Sequence, residues 1–317
     1  MRAVHITIGH LLPFIPKPIL RLFARPYIAG ERLDDAVRVI QHLMSEGAWA
    51  TTDVLGEEVL HEEQALHAVE LYKQVLHRIH AEKLRSNISL KPTHMGLKLD
   101  KEFCYNNIRT LVDLARRYNN FVRIDMEDHT CTSDTLDIYV RLRGEFDNVG
   151  TVLQAYLRRT IQDINKLLPL RPNLRICKGI YVEPPQIAYQ HPELIVKNFA
   201  YALEKLFLND CYVAIATHDE LVIWEALRLI DKYQIPRERY EFQMLLGVTP
   251  HLRRMLIRQG HYLRVYVPFG VEWAAYSVRR LRENPSLIGH VTRSLFRKEW
   301  AENHRPVTEQ MVVSSRK

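Results

Sequence analysis

Polar side chains interrupt a series of short apolar runs in this chain, and their types suit the capture of an anion. Lys91 closes "NISLK", Asp125 sits in "VRIDMED" and Gln154 in "TVLQAY". Arg175, Lys178 and Tyr181 share "LRICKGIY"; Thr217, His218 and Asp219 finish "VAIATHD"; Tyr266 lies in "RVYVPFG". Taken singly, each has a structural reading: Lys91 keeps its head in water, Asp125 pairs with an arginine, Gln154 ties strand to strand. A charge inside an apolar run is costly unless paired or liganded, so Arg175 and Lys178 together are harder to set aside. Their odd spacing puts them on opposite faces of an ideal strand, and spacing alone leaves open which one faces a site. Near the C-terminus, "AYSVRRLREN" adds adjacent arginines, Arg279 and Arg280, with Tyr276 one helical turn before and Glu283 one turn after. Lys91, one of the strand cations and this dyad make a positive cavity. It would suit a carboxylate, a phosphate or an anionic cofactor, and guanidinium forks favour bidentate capture.

Other chemistries lack their signatures. No G-x-G-x-x-G, G-K-[ST] or G-x-S-x-G occurs, and "HEEQALH" has the wrong spacing for H-E-x-x-H. His77 and His80 share a helix without a carboxylate to join them, so no metal is expected. Cys104, Cys131, Cys177 and Cys211 form no C-x-x-C pair and read as free thiols of a reducing compartment. The net charge of +7 admits acidic partners. The basic residues are scattered without a dense run or interleaved aromatics, so no nucleic acid is expected.

These residues need a scaffold. Of 317 residues, 47% are hydrophobic, enough for a large core. Apolar, β-branched runs at 48–56, 87–97, 121–128, 149–157, 174–182, 211–219, 240–248 and 262–270 read as strands alternating with helical segments. Eight such units predict an α/β fold, a (β/α)8 TIM-type barrel, with an open doubly wound sheet as the alternative. A helix at about 33–46 precedes the alternation. Asp219 and Pro250 read as helix starts, and Asn284-Pro285 as a helix end. The expected organisation is an N-terminal helical arm over 1–47 packed on the barrel, the barrel over 48–300, and a tail over 301–317. The arm is basic and apolar but broken by Pro13, Pro16 and Pro18, and its apolar runs are too short to span a membrane. Barrel chemistry sits at the C-terminal strand ends, where most of the polar residues fall.

"AYSVRRLREN" resembles the Y-x-x-R-R-x-x-E-N signature of the proline dehydrogenase family. "TDVLGE", "SLKPTHMG", "IDMED", "VLQAYLRR", "RICKGIYVEP", "ATHD" and "YEFQMLLG" resemble its other blocks in order, from about residue 30 to 290. The resemblance implies a monofunctional enzyme with a distorted barrel that binds FAD non-covalently. It would oxidise L-proline to Δ1-pyrroline-5-carboxylate and pass electrons to a membrane quinone. It further implies a cytoplasmic protein that touches the inner face of the plasma membrane. By the same resemblance Lys91, Arg279 and Arg280 hold the substrate carboxylate; Tyr181, Leu245 and Tyr276 box the ring, with Asp125 and Tyr266 nearby. Gln154, Arg175, Lys178, Thr217 and His218 contact the flavin, Arg175 near its reactive edge, and Glu57 pairs with Arg279 as a gate. Tyr276 favours proline over its hydroxylated analogue. The chain departs from several family blocks at Ile180 and Val182, both near the expected flavin. The competing readings are a Schiff-base aldolase using Lys178 or Lys91 and a basic membrane- or nucleic-acid-binding module.

Overall fold

Each expected run overlaps a strand, with β2 and β5 starting one residue early: β1 Trp49–Val54, β2 Ser86–Leu90, β3 Val122–Ile124, β4 Val149–Gln154, β5 Asn173–Cys177, β6 Tyr212–Ala216, β7 Tyr240–Leu245 and β8 Leu263–Phe269. In this computed structural model they pair in chain order, all parallel, and β8 closes on β1. The chain is therefore a closed (β/α)8 barrel. The structure describes Arg21, residues 24–274, Tyr276 and Ser277. Residues 27–273 form one compact unit. A second unit comprises 1–26 and 274–317, in which Tyr276 and Ser277 are helical and buried.

Helices alternate with the strands because their apolar faces recur at helical spacing. α1 (Leu33–Ser45) precedes the barrel and buries Ala36, Val37, Ile40 and Leu43 beside β1 and β8. α2 (Glu62–Ala81), α3 (Lys101–Arg117), α4 (His129–Glu145), α5 (Thr160–Leu167), α6 (Pro192–Phe207), α7 (Glu220–Lys232) and α8 (Pro250–Arg258) follow successive strands. Asp219 caps α7 by accepting from the Leu221 N–H at 2.9 Å, and Pro250 opens α8, as the sequence predicts. Asp100 and Asp128 cap α3 and α4 in the same way.

Strands buried on both faces lose the polar alternation of an open sheet, and β2 and β4 are buried throughout. Lateral register then decides which residues face the lumen. Thr51 pairs with Tyr266 and Asn87, Ser89 with Arg123, Val152 with Arg175, Ala214 with Glu241 and Gln243 with Arg264. Alternation extends that face to Asp53, Lys91, Asp125 and Gln154. Arg123 crosses beneath β4, donating to the Thr151 and Asn173 carbonyls at 2.9 and 2.8 Å. Gly150 leaves room for it, since a Cβ there would stand 2.5 Å from its guanidinium.

Candidate active site

Arg175 of β5 reaches across the lumen. Its Nη1 donates to Asp125 Oδ1 at 2.6 Å, its Nε to Gln243 Oε1 at 2.5 Å, and its Nη2 approaches Ser89 Oγ at 3.3 Å. Ser89 Oγ in turn donates to Asp125 Oδ1 at 2.6 Å. One guanidinium thus joins β2, β3, β5 and β7. Of the two cations sharing the fifth run, Arg175 is the one inside the barrel. Lys178 lies one residue past β5, where pleating no longer applies, and pairs with Asp219 at the β6 end.

Lys91, just beyond β2, is equally buried and donates to Asp53 Oδ2 at 2.9 Å. Burial works against its charge, but the carboxylates of Asp53, Asp125 and Glu127 outweigh burial and hold its pKa above the ordinary lysine value. Asp53 is fully buried and also accepts from the Tyr266 hydroxyl at 2.6 Å and the Tyr72 hydroxyl at 2.8 Å. Tyr72 belongs to α2 outside the barrel. It reaches this carboxylate because β1 and β2 pair only as far as Thr52 and Ile88. Its hydroxyl fills the gap beyond, accepting from the Val54 N–H at 3.2 Å and lying 2.9 Å from the Ser89 carbonyl.

The strand-end loops are braced by buried acids. Glu127 accepts from Thr93 at both its N–H (2.9 Å) and its hydroxyl (2.6 Å), and its own carbonyl accepts from Gln154 Nε2 at 2.8 Å. Burial pushes its carboxyl up despite the two Thr93 bonds. Glu183 accepts from the His129 N–H at 2.8 Å and pairs with its Nδ1 at 2.5 Å, anchoring the loop that carries Tyr181 to the start of α4. Tyr181 is half-buried in that loop between exposed Ile180 and Val182.

Thr217 and His218 follow β6. The Thr217 N–H donates to the Gln243 carbonyl at 3.1 Å, and its hydroxyl accepts from the Asp219 N–H at 3.0 Å. His218 Nε2 accepts from the Leu245 N–H at 2.9 Å, so its ring proton sits on Nδ1, which faces Thr249 Oγ1 at 3.1 Å. Leu245 ends β7 and is in lateral register with Tyr266.

The fold therefore gathers Lys91, Asp125, Arg175 and Tyr266 into one bonded cluster. It sets Gln154, Lys178, Thr217 and His218 along the adjoining arc from β4 to β6. Glu57 is half-buried in the loop after β1. Arg279, Arg280 and Glu283 lie outside the described residues, and Tyr276 belongs to the second unit. Among the described residues the two lumen cations of the expected positive cavity are matched by acids, Lys91 by Asp53 and Arg175 by Asp125. Asp53, Ser89 and Gln243 are members of the cluster that sequence reasoning missed. An acid flanked by threonine and valine in a strand was the one available signal.

A closed parallel barrel with a buried, ion-paired cluster at its C-terminal strand ends is the architecture of a barrel enzyme. A sequence model of the family described as proline dehydrogenase matches residues 36–183 and 194–293. Proline dehydrogenase 1 of Bacillus subtilis is 37% identical over 278 residues, covering 88% of this chain and 92% of that protein. Proline dehydrogenase of Deinococcus radiodurans is 32% identical over 279 residues, covering 86% and 90%. Among solved structures, proline utilization A of Bdellovibrio bacteriovorus, inactivated by N-propargylglycine, superposes with a TM-score of 0.77 at 25% identity. That match covers 85% of this chain and 34% of the longer protein. The chain belongs to the proline dehydrogenase family.

Proposed function

We propose that this enzyme oxidises L-proline to Δ1-pyrroline-5-carboxylate with FAD and passes the electrons to a membrane quinone. The observation that carries this reading is the buried cluster of Lys91, Asp53, Tyr266, Asp125 and Arg175 at the mouth of a proline dehydrogenase family barrel.

The residues along β4 to β6 fit a flavin dinucleotide. Gln154, Arg175, Lys178 and Thr217 bring amide, guanidinium, ammonium and hydroxyl groups to one arc, donors of the kind that would hold the acceptor-rich ring and phosphates of such a group. Bound there, a flavin would supply the hydride acceptor. What the chain itself must do is hold the donor carbon against it, which is a problem of position. Lys91 takes the substrate carboxylate with N–H bonds left after Asp53. Leu245 and Tyr181 give the ring an apolar wall. Arg175 is immobilised by Asp125 and Gln243, so its place relative to the ring is set before substrate arrives. No proton-accepting side chain is assigned. A substrate amine that enters neutral needs none.

No described helix is long and apolar enough to cross a membrane. By the family resemblance, quinone contact is assigned to a peripheral approach at the cytoplasmic face. The purified protein should be yellow, release FAD on denaturation and bleach anaerobically on adding L-proline. A colourless protein that cannot be loaded with FAD, or a flavoprotein inert to proline, overturns the reading.

A further inference from the structure

Lys91 and Tyr266 come from strands far apart in sequence, and their polar atoms meet on one oxygen. Asp53 Oδ2 accepts from Lys91 Nζ at 2.9 Å and from the Tyr266 hydroxyl at 2.6 Å, while Oδ1 accepts from Tyr72 at 2.8 Å. The Tyr266 hydroxyl also stands 3.4 Å from Asp125 Oδ2. A hydroxyl has one proton, and the shorter contact gives it to Asp53. These two acids therefore divide the work: Asp125 belongs to Arg175, and Asp53 to Lys91 and Tyr266.

We propose that Asp53 is a positioning residue for substrate capture, holding the Lys91 ammonium and the Tyr266 hydroxyl so that Lys91 offers its remaining N–H bonds to the substrate carboxylate. This rests on the reading that Lys91 takes the carboxylate of proline. An ammonium has three donors on a freely turning head, and one short bond to a fully buried carboxylate fixes the direction of the others. Asp53 also keeps the head charged. The groups facing Lys91 are Asp53 from β1, Asp125 and Glu127 from the β3 end, His94 from its own loop, Tyr266 from β8 and Tyr72 from α2. Burial is the largest influence on Lys91 and opposes its charge, with Asp53 the first of those that offset it. Without the Asp53 charge, burial is offset only by the more distant Asp125 and Glu127, and the Lys91 pKa should fall.

The test titrates the holoenzyme with a saturated five-membered-ring carboxylate whose ring nitrogen is replaced by oxygen, so that it cannot be oxidised. Binding is read from the flavin absorbance between pH 7 and about 10. In the parent protein affinity should stay flat. Asp53→Asn should weaken binding by about tenfold to a hundredfold and add an alkaline limb. Lys91→Met should be weak and flat, and Asp53→Asn with Lys91→Met should lose the limb. An Asp53→Asn protein with parental affinity and a flat profile overturns the proposal. A parent that neither binds the analogue nor reacts with proline overturns the functional reading instead. Should Asp53→Asn not fold, the parent still decides. The ¹⁵N signal of the Lys91 ammonium, identified by its loss in Lys91→Met, must stay protonated up to about pH 10, and titration near neutrality overturns the role given to Asp53.

Discussion

Arg175 binds Asp125, Gln243 and Ser89 from three other parts of the barrel, and its removal has two separable consequences. Arg175→Met removes the ion-pair partner of buried Asp125 and leaves it the Ser89 and Tyr266 hydroxyls and the more distant Lys91 charge, a loss of about 3–5 kcal/mol of unfolding free energy. Arg175→Met with Asp125→Asn should recover much of that, because the orphaned charge goes too. Turnover should not recover. Even where the double variant is stable, kcat/KM for proline should stay down by about a hundredfold or more, since misplacement alone costs that much. Denaturant unfolding and steady-state kinetics on both variants check the two halves, and equal recovery in both would make Arg175 structural only. Sequence identifies this residue because a charge inside "LRICKGIY" is conspicuous. Asp53 escapes notice for the opposite reason. A lone acid after two threonines looks like ordinary strand polarity, and its meaning depends on Tyr266, 213 residues away, which meets it only when β8 closes on β1. Gln243 is similarly silent: its amide is held by Glu241 and Arg175, which no local pattern announces.

The eight strands were legible as apolar runs, yet every expected run extends past the C-terminal end of its strand. The run over 87–97 continues through "KPTHMGL", whereas β2 stops at Leu90. Pro92 has no N–H to continue a ladder, and the next residues turn into a buried loop that hydropathy cannot tell from strand. That loop holds His94, 8% exposed, its ring packed where a Cβ on Gly56 would come within 2.2 Å. Burial first, then the neighbouring Lys91 charge, lowers the His94 pKa from 6.5 to about 4. The unfolded chain takes up a proton near the ordinary value while the folded one resists. Stability is therefore fully present above about pH 6.5 and is lost as pH falls towards the folded pKa, by about 3 kcal/mol in all. Since Gly56 precedes Glu57, acid should loosen the loop after β1 with it. His94→Gln should flatten this part of the stability profile between pH 7 and 4.5, read by denaturant unfolding. A variant that loses stability with acid as steeply as the parent would clear His94 of the role.

Across the whole barrel, the polar cluster at the mouth continues to the floor. Arg175 holds Gln243, whose Nε2 donates to Glu241 Oε1 at 2.5 Å, and Arg264 Nε reaches both Glu241 oxygens at 2.8 and 3.1 Å. Arg264 Nη1 then donates to the Ala50 carbonyl at 2.8 Å and to Asn87 Oδ1 at 3.1 Å, returning the chain of bonds to β1 and β2. Burial opposes the Glu241 charge, but Arg264 and Gln243 outweigh it and hold the carboxyl below its usual range; Arg264 is correspondingly held protonated. The pair's contribution is present above the ordinary glutamate pKa and disappears only as pH falls through the lower folded value. Glu241→Leu strands Arg264 in the interior and should cost about 3–5 kcal/mol. Glu241→Leu with Arg264→Met replaces the pair by apolar volume and should return close to parental stability. Stability and catalysis should part company in that double variant. Gln243 loses the acceptor that fixes which way its amide points, so the oxygen facing Arg175 is no longer assured and kcat should fall although the fold is restored. Unfolding midpoints alongside kcat for proline read both. A double variant with parental stability and parental kcat would show that the floor supports the barrel and nothing more.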